Sequence, residues 1–178
     1  MSLISRTRRL LLAASGVSLG LAVVPRTLRA TDGAWPGYAK AIVIDGLGGP
    51  GSQATELGAP LTPGEAQDLR DSGMTCLHLT VGEVGSMPPD ESYEKAVASI
   101  SRWDAEVDRN PTALARVRTV ADIHAVKARG LTGLLYGFQD GVCFETDLER
   151  LSTFHGLGIR VIQPTYNRRN QLGDGCME

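Results

Sequence analysis

The chain has 178 residues, enough for one ordinary domain and few for the largest folds. It carries 18 basic and 20 acidic residues; five of the basic ones, Arg6, Arg8, Arg9, Arg26 and Arg29, lie in the first thirty residues, which hold no acid. The remainder therefore has 13 basic against 20 acidic residues, a net charge of −7. An acidic body without a basic stripe argues against nucleic acid as a partner and suits an exported enzyme or binding protein.

Residues 1–30 read as an export signal. A basic start is followed by an apolar run from Leu10 to Val24 and then Pro25. Ser and Gly interrupt the run, and it is short for a stable membrane span, so none is expected once the signal is removed. Thr7-Arg8-Arg9-Leu10-Leu11-Leu12 is similar to the twin-arginine type of signal. Cleavage near Ala30 would release the chain to a periplasmic or extracellular location, with residues 31–40 as a linker.

From Ala41 onward, four β-rich runs alternate with helical segments. "AIVIDG" from Ala41 is the first, and a Gly-rich loop from Gly46 to Gly51 follows it. Thr62-Pro63-Gly64-Glu65 is a capping box with Pro at the first helical position, and Gly73 is the stop. "MTCLHLTVG" from Met74 is the second strand. A longer helix starts near Pro89-Asp90, with Tyr93, Val97, Ile100, Trp103 and Val107 on one apolar face. Thr119 to Asp122 opens another helix, closed by Gly130. "LTGLLYGF" from Leu131 is the third strand. Leu148, Leu151, Phe154 and Leu157 mark one face of a further helix, stopped by Gly158, and "IRVIQPTY" from Ile159 is the fourth strand.

The resulting order, β-α-β-α-α-β-α-β, is that of parallel β/α units in an α/β fold. A doubly wound sheet and a (β/α)8 barrel both begin this way. A full barrel takes about 250 residues. If the fold is a barrel, only about its first four β/α units are expected here.

In parallel β/α folds the chemistry sits at the C-terminal ends of the strands. As a phosphate cradle the first loop is poor, because Pro50 interrupts it and no good helix start follows. Asp45 is read as accepting backbone N–H bonds in the turn. The third loop offers Gln139 and Asp140, and the fourth offers Tyr166 and Asn167. Asp140 is the candidate general base. Gln139, Tyr166 and Asn167 are candidates for binding a substrate carboxylate or amide. His78 reads as a packed strand residue, His124 and His155 as surface residues, and Trp103 as core. Cys76 reads as core; Cys143 and Cys176 lie in loops, where export would permit a bond that spacing alone does not show.

These loops together carry a resemblance. "VIDGLGG" is similar to the Ile-Asp-Gly-His-x-Asp opening of the renal (membrane) dipeptidases, and "LERLSTFHGLGIRVIQPTYNRRNQLGDGC" resembles their helix, Leu-Gly-Val-Arg strand and Leu-Thr-His-Asn-x-x-Asn loop. The resemblance runs from about Ala41 to the end of the sequence. It implies the N-terminal half of a TIM-type (β/α)8 barrel over residues 41–178, a zinc cofactor and a small dipeptide-like substrate. The family's first-loop His and Asp fall on Leu47 and Gly49, and its bridging Glu falls on Gln139. The family's Thr-His pair reads Thr165-Tyr166 here. The departures put zinc in question for this chain.

Three functions follow as expectations: an exported metallohydrolase of dipeptides or related small amides, impaired to the extent that it needs the missing ligands; a non-catalytic binding protein using the barrel mouth; and an inactive truncated fragment. An open half-barrel would expose strand edges, so aggregation or a homo-oligomer is also expected.

Overall fold

The computed structural model describes residues 35–178 apart from Leu57, Ser86 and Glu145. The export signal and residues 31–34 of the linker lie outside the described residues. Residues 37–178 form one unit, built on a parallel sheet.

Capping chemistry sets the helix starts. After strand β1 (Ile44–Asp45) and a short helix α1 (Gln53–Glu56), helix α2 (Pro63–Ser72) opens on a full capping box between Thr62 and Glu65. It closes at Gly73, whose φ of 66° is left-handed. Strand β2 (Cys76–Thr80) leads to the long helix α3 (Pro89–Arg109), and Ala96, Ile100 and Trp103 form its buried face. Strand β3 (Leu114–Val117) comes next. Helix α4 (Val120–Arg129) has a second capping box, Thr119 with Asp122, and stops at Gly130 with φ 64°. Strand β4 (Thr132–Phe138), helix α5 (Glu149–Leu157) and strand β5 (Val161–Ile162) complete the described chain.

All strand pairs are parallel, in the order β1-β2-β4-β3, with β5 also on β4. The hydrogen bonds show how β4 accommodates three neighbours. Its odd residues serve β2: Gly133 N–H donates to Thr75, and the Gly137 carbonyl accepts from Val81. Its even residues serve the other edge: Thr132 N–H donates to Ala113, and the Tyr136 and Phe138 carbonyls accept from Arg160 and Gln163. Strands β3 and β5 therefore follow one another along a single edge of β4.

Register separates the two faces of the sheet. Leu77 and Leu79 share one face with Leu134, Tyr136 and Phe138, and α2, α3 and α5 pack there through Leu69, Ile100, Trp103 and Phe154. Phe138, Phe144 and Phe154 meet edge to face at 4.8–5.8 Å. Cys76, His78 and Thr80 share the other face with Gly133, Leu135 and Gly137. Val117 and Val126 cover its lower part, where a Cβ on Gly133 would collide with Val117. The upper part carries the polar groups.

Two sequence expectations need correction. The described residues hold five strands, because Leu114–Val117 is a strand of only four residues containing Arg116. That cation is accommodated on the packed face: its guanidinium lies 3.7 Å over the Tyr136 ring, pairs with Asp104 and donates to the Leu157 carbonyl. Leu148 and Leu151 are exposed, so the packed side of α5 is made by Phe154 and Leu157 instead. The helix begins one residue after Leu148, and Leu151 turns to an open hollow with Ile159 and Ile162.

Candidate functional site

The loop after β1 is held by β2. Asp45 Oδ1 accepts the Leu47 N–H at 3.1 Å, the local turn bond read from the sequence. His78 grips the same loop twice: its carbonyl accepts from Gly48 N at 3.0 Å, and its Nδ1 lies 2.7 Å from the Gly46 carbonyl. A carbonyl only accepts, so Nδ1 carries the proton. The other ring nitrogen is buried over Gly137 with no hydrogen-bond partner among the described residues. His78 is thus a packed strand residue that fixes the Gly-rich loop. His124 and His155 are exposed.

Next along this face, Thr80 Oγ1 donates to Gln139 Oε1 at 3.0 Å. Residues 59 positions apart thereby join the ends of β2 and β4. A cleft of about 460 Å³ opens beside them. Its lining includes Leu47, Gly49, Thr80 and Gln139, so the three positions that the sequence resemblance sets against the family's metal ligands converge on one site. Glu56, Glu83 and Arg102 add charge to its walls. Glu56 and Arg102 sit outside the strand ends, and Glu83, in the loop after β2, has no neighbouring motif to mark it in the sequence. Thr80 was detectable from strand alternation, two residues beyond His78.

Asp140, next to Gln139, turns away into the protein. It is 3 % exposed, and its carboxylate accepts from Gly85 N at 3.2 Å, Val142 N at 3.2 Å and Asn170 Nδ2 at 2.8 Å. One side chain so joins the loops after β2, β4 and β5. Tyr166 and Asn167 are outside the residues lining the cleft. The Tyr166 carbonyl accepts from Cys176 N, and Asn167 Oδ1 accepts from the Cys176 thiol at 3.2 Å. All three cysteines are free: Cys76 and Cys143 are buried and Cys176 is exposed. Burial pushes the Cys143 thiol up to about 12.

The donor set does not fit the zinc pair implied by the resemblance. Leu47 has no lone pair, Gly49 has no side chain, and the Gln139 oxygen is neutral and already accepts from Thr80. Among the described residues no group of three or more His, Cys, Asp or Glu comes together. No helix among them is long and apolar enough to cross a membrane.

Comparison with known proteins places this site in context. No curated protein matches the chain. An amidohydrolase structure from Pseudomonas aeruginosa is similar at 31 % identity and a TM-score of 0.64, over 79 % of this chain and 39 % of that one. A metallo peptidase from Rhodobacter sphaeroides, liganded with a phosphinate mimic of the dipeptide L-Ala-D-Ala, is similar in fold at 14 % identity and a TM-score of 0.57, over 72 % and 46 %. The chain thus spans less than half the length of either structure, and its curled parallel sheet corresponds to part of a TIM-type barrel. The family model for membrane dipeptidase, Peptidase family M19, matches residues 63–178, and the chain belongs to that family.

Proposed function

We propose that the chain builds the front of a hydrolase site for dipeptides or related small amides, in a protein exported from the cytoplasm. The observation that carries this reading is the convergence of Leu47, Gly49 and Gln139, with Thr80, on one cleft at the strand ends. Substrate class and reaction come from membership of a dipeptidase family. In that family zinc would supply an activated water and polarise the scissile carbonyl. The residues found here do not fit it.

This chain's own residues bind and orient. The Gln139 oxygen is occupied by Thr80, which aims its amide NH2 as the donor for a substrate carbonyl. Asp140 is assigned a positioning role, because its oxygens are engaged with Gly85, Val142 and Asn170. Tyr166 and Asn167, in the loop after β5, lie outside the lining of this cleft, and the Asn167 Oδ1 is engaged by the Cys176 thiol.

A second reading, a non-catalytic binding protein, is favoured by the same donor set. One experiment separates the two. The mature protein is incubated with a dipeptide panel, with and without added zinc; free amino acids are followed by mass spectrometry and binding by calorimetry. Release of amino acids supports the hydrolase, and binding without release supports the binding protein. Neither binding nor release refutes both.

A further inference from the structure

We propose that Arg102 is a carboxylate anchor in the strand-end cleft, so that the ligand is a small amide bearing a free carboxylate. The inference rests on the small-amide reading above and adds how one end of that ligand is recognised.

Arg102 lies on α3 at the wall of the cleft shared with Thr80 and Gln139. It is half-buried and held from two sides. Its Nη1 donates to the Thr55 carbonyl at 2.9 Å, and its Cζ stands 4.9 Å over the ring of Trp103. Thr55 and Trp103 are themselves 1 % and 2 % exposed, so the guanidinium rests on a rigid floor.

Its charge stands out among the half-buried arginines; Arg70, Arg118, Arg129 and Arg168, which also have no ion pair among the described residues, are exposed. Arg109, Arg116, Arg150 and Arg169 are each matched by a carboxylate: Glu106, Asp104, Asp90 and Asp174. Arg160, also half-buried, donates three hydrogen bonds to carbonyl oxygens. Arg102 has one such bond and, among the described residues, no acid within ion-pair distance. Lys95, the other cation on this wall, is already paired with Glu91 at 3.2 Å. A guanidinium has five N–H donors in a planar fork that matches a carboxylate. Fixing it on Trp103 removes in advance much of the side-chain entropy cost of binding. Glu56 and Glu83 line the same cleft but neither is within ion-pair distance of Arg102, and a partly desolvated cation left so is satisfied by an anion from solution. The same cleft offers the Thr80–Gln139 pair to an amide, and its volume suits a small peptide.

The test uses two probes that differ only at the carboxyl group, N-acetylglycine and N-acetylglycinamide, titrated into the whole mature chain. Trp103 fluorescence, in a Trp35→Phe background, reports binding. N-acetylglycine is expected to bind roughly 10- to 100-fold more tightly than the amide, the range for charge-assisted hydrogen bonds. Arg102→Gln should reduce it to the amide's level, Arg102→Lys should retain part of the preference, and Arg129→Gln should change nothing. Equal binding of both probes, no saturable binding of N-acetylglycine, or a preference that survives in Arg102→Gln overturns the proposal. If Arg102→Gln fails to fold by circular dichroism, the probe pair on the parent chain and on Arg102→Lys decides. Dipeptide turnover is measured in parallel. Arg102-dependent carboxylate binding without turnover keeps the anchor and removes the hydrolase. Turnover insensitive to Arg102 keeps the hydrolase and removes the anchor.

Discussion

Replacing Gly137 by alanine places a methyl group where His78 already lies. A Cβ there would overlap the imidazole Nε2 and stand 2.8 Å from the Val161 carbonyl oxygen. The ring cannot simply swing aside, because its Nδ1 is tied to Gly46 at 2.7 Å. The carbonyl belongs to the β4–β5 ladder, where Gly137 is paired with Val161. Overpacking of this kind costs about 1–3 kcal/mol, and loss of the Gly46 bond adds about 1 kcal/mol. The sum, about 2–4 kcal/mol, corresponds to a fall in Tm of about 4–16 °C for a chain of this size. A thermal melt followed by circular dichroism reads it. In the double variant His78→Ala/Gly137→Ala the ring clash is gone and only the Val161 contact remains. The two changes should therefore be less costly together than separately, by about 1–2 kcal/mol. Additivity within about 0.5 kcal/mol would refute the placement of His78 over Gly137, and with it the grip on the first loop.

Three further outcomes follow from named groups. Asp140→Ala should destabilise by about 1–3 kcal/mol, because it leaves the Gly85 and Val142 N–H groups and the Asn170 amide without their acceptor; urea unfolding measures it, and an unchanged midpoint would deny Asp140 its joining role. A thiol reagent at pH 8 should modify Cys176 quickly and reach Cys76 and Cys143 only after denaturation, since burial raises both thiols, Cys143 to about 12. Burial opposes ionisation of Glu106, but Arg109, the Leu61 N–H and Asn110 together hold its carboxyl below the ordinary carboxylate range. The unfolded chain then binds the proton first, so the stabilisation is present above the unfolded value near about 4.3 and is lost as pH falls through the folded one. Glu106→Gln should flatten the acid limb of a stability–pH curve.

Legibility in the sequence followed the range of the interactions. Both capping boxes lie within four residues, and Thr62–Glu65 and Thr119–Asp122 start their helices as their spacing predicts. The apolar face of α3 was readable over five positions of one period, and Ile100 and Trp103 are buried as it requires. Strand β3 was not readable: four residues are too few to show a period, and Arg116 breaks the apolar run. Tyr136, Asp104 and the Leu157 carbonyl, brought close by folding, make that cation acceptable. At the site, Gln139 and Asp140 were visible as polar residues at a strand end. Their opposite directions were not, because Thr80 claims one and Asn170, Val142 and Gly85 the other. Arg102 was hidden on a helix whose spacing explains Trp103 and says nothing of the residue beside it.

Elemental mass spectrometry of the protein, purified after growth with zinc, tests most directly the proposal that Leu47, Gly49 and Gln139 stand where the family has metal ligands and leave the strand-end cleft without a zinc site. Zinc well below one ion per chain, unchanged in Gln139→Ala, is the expected result. One or two tightly held ions per chain, lost on mutation of Gln139, would contradict it.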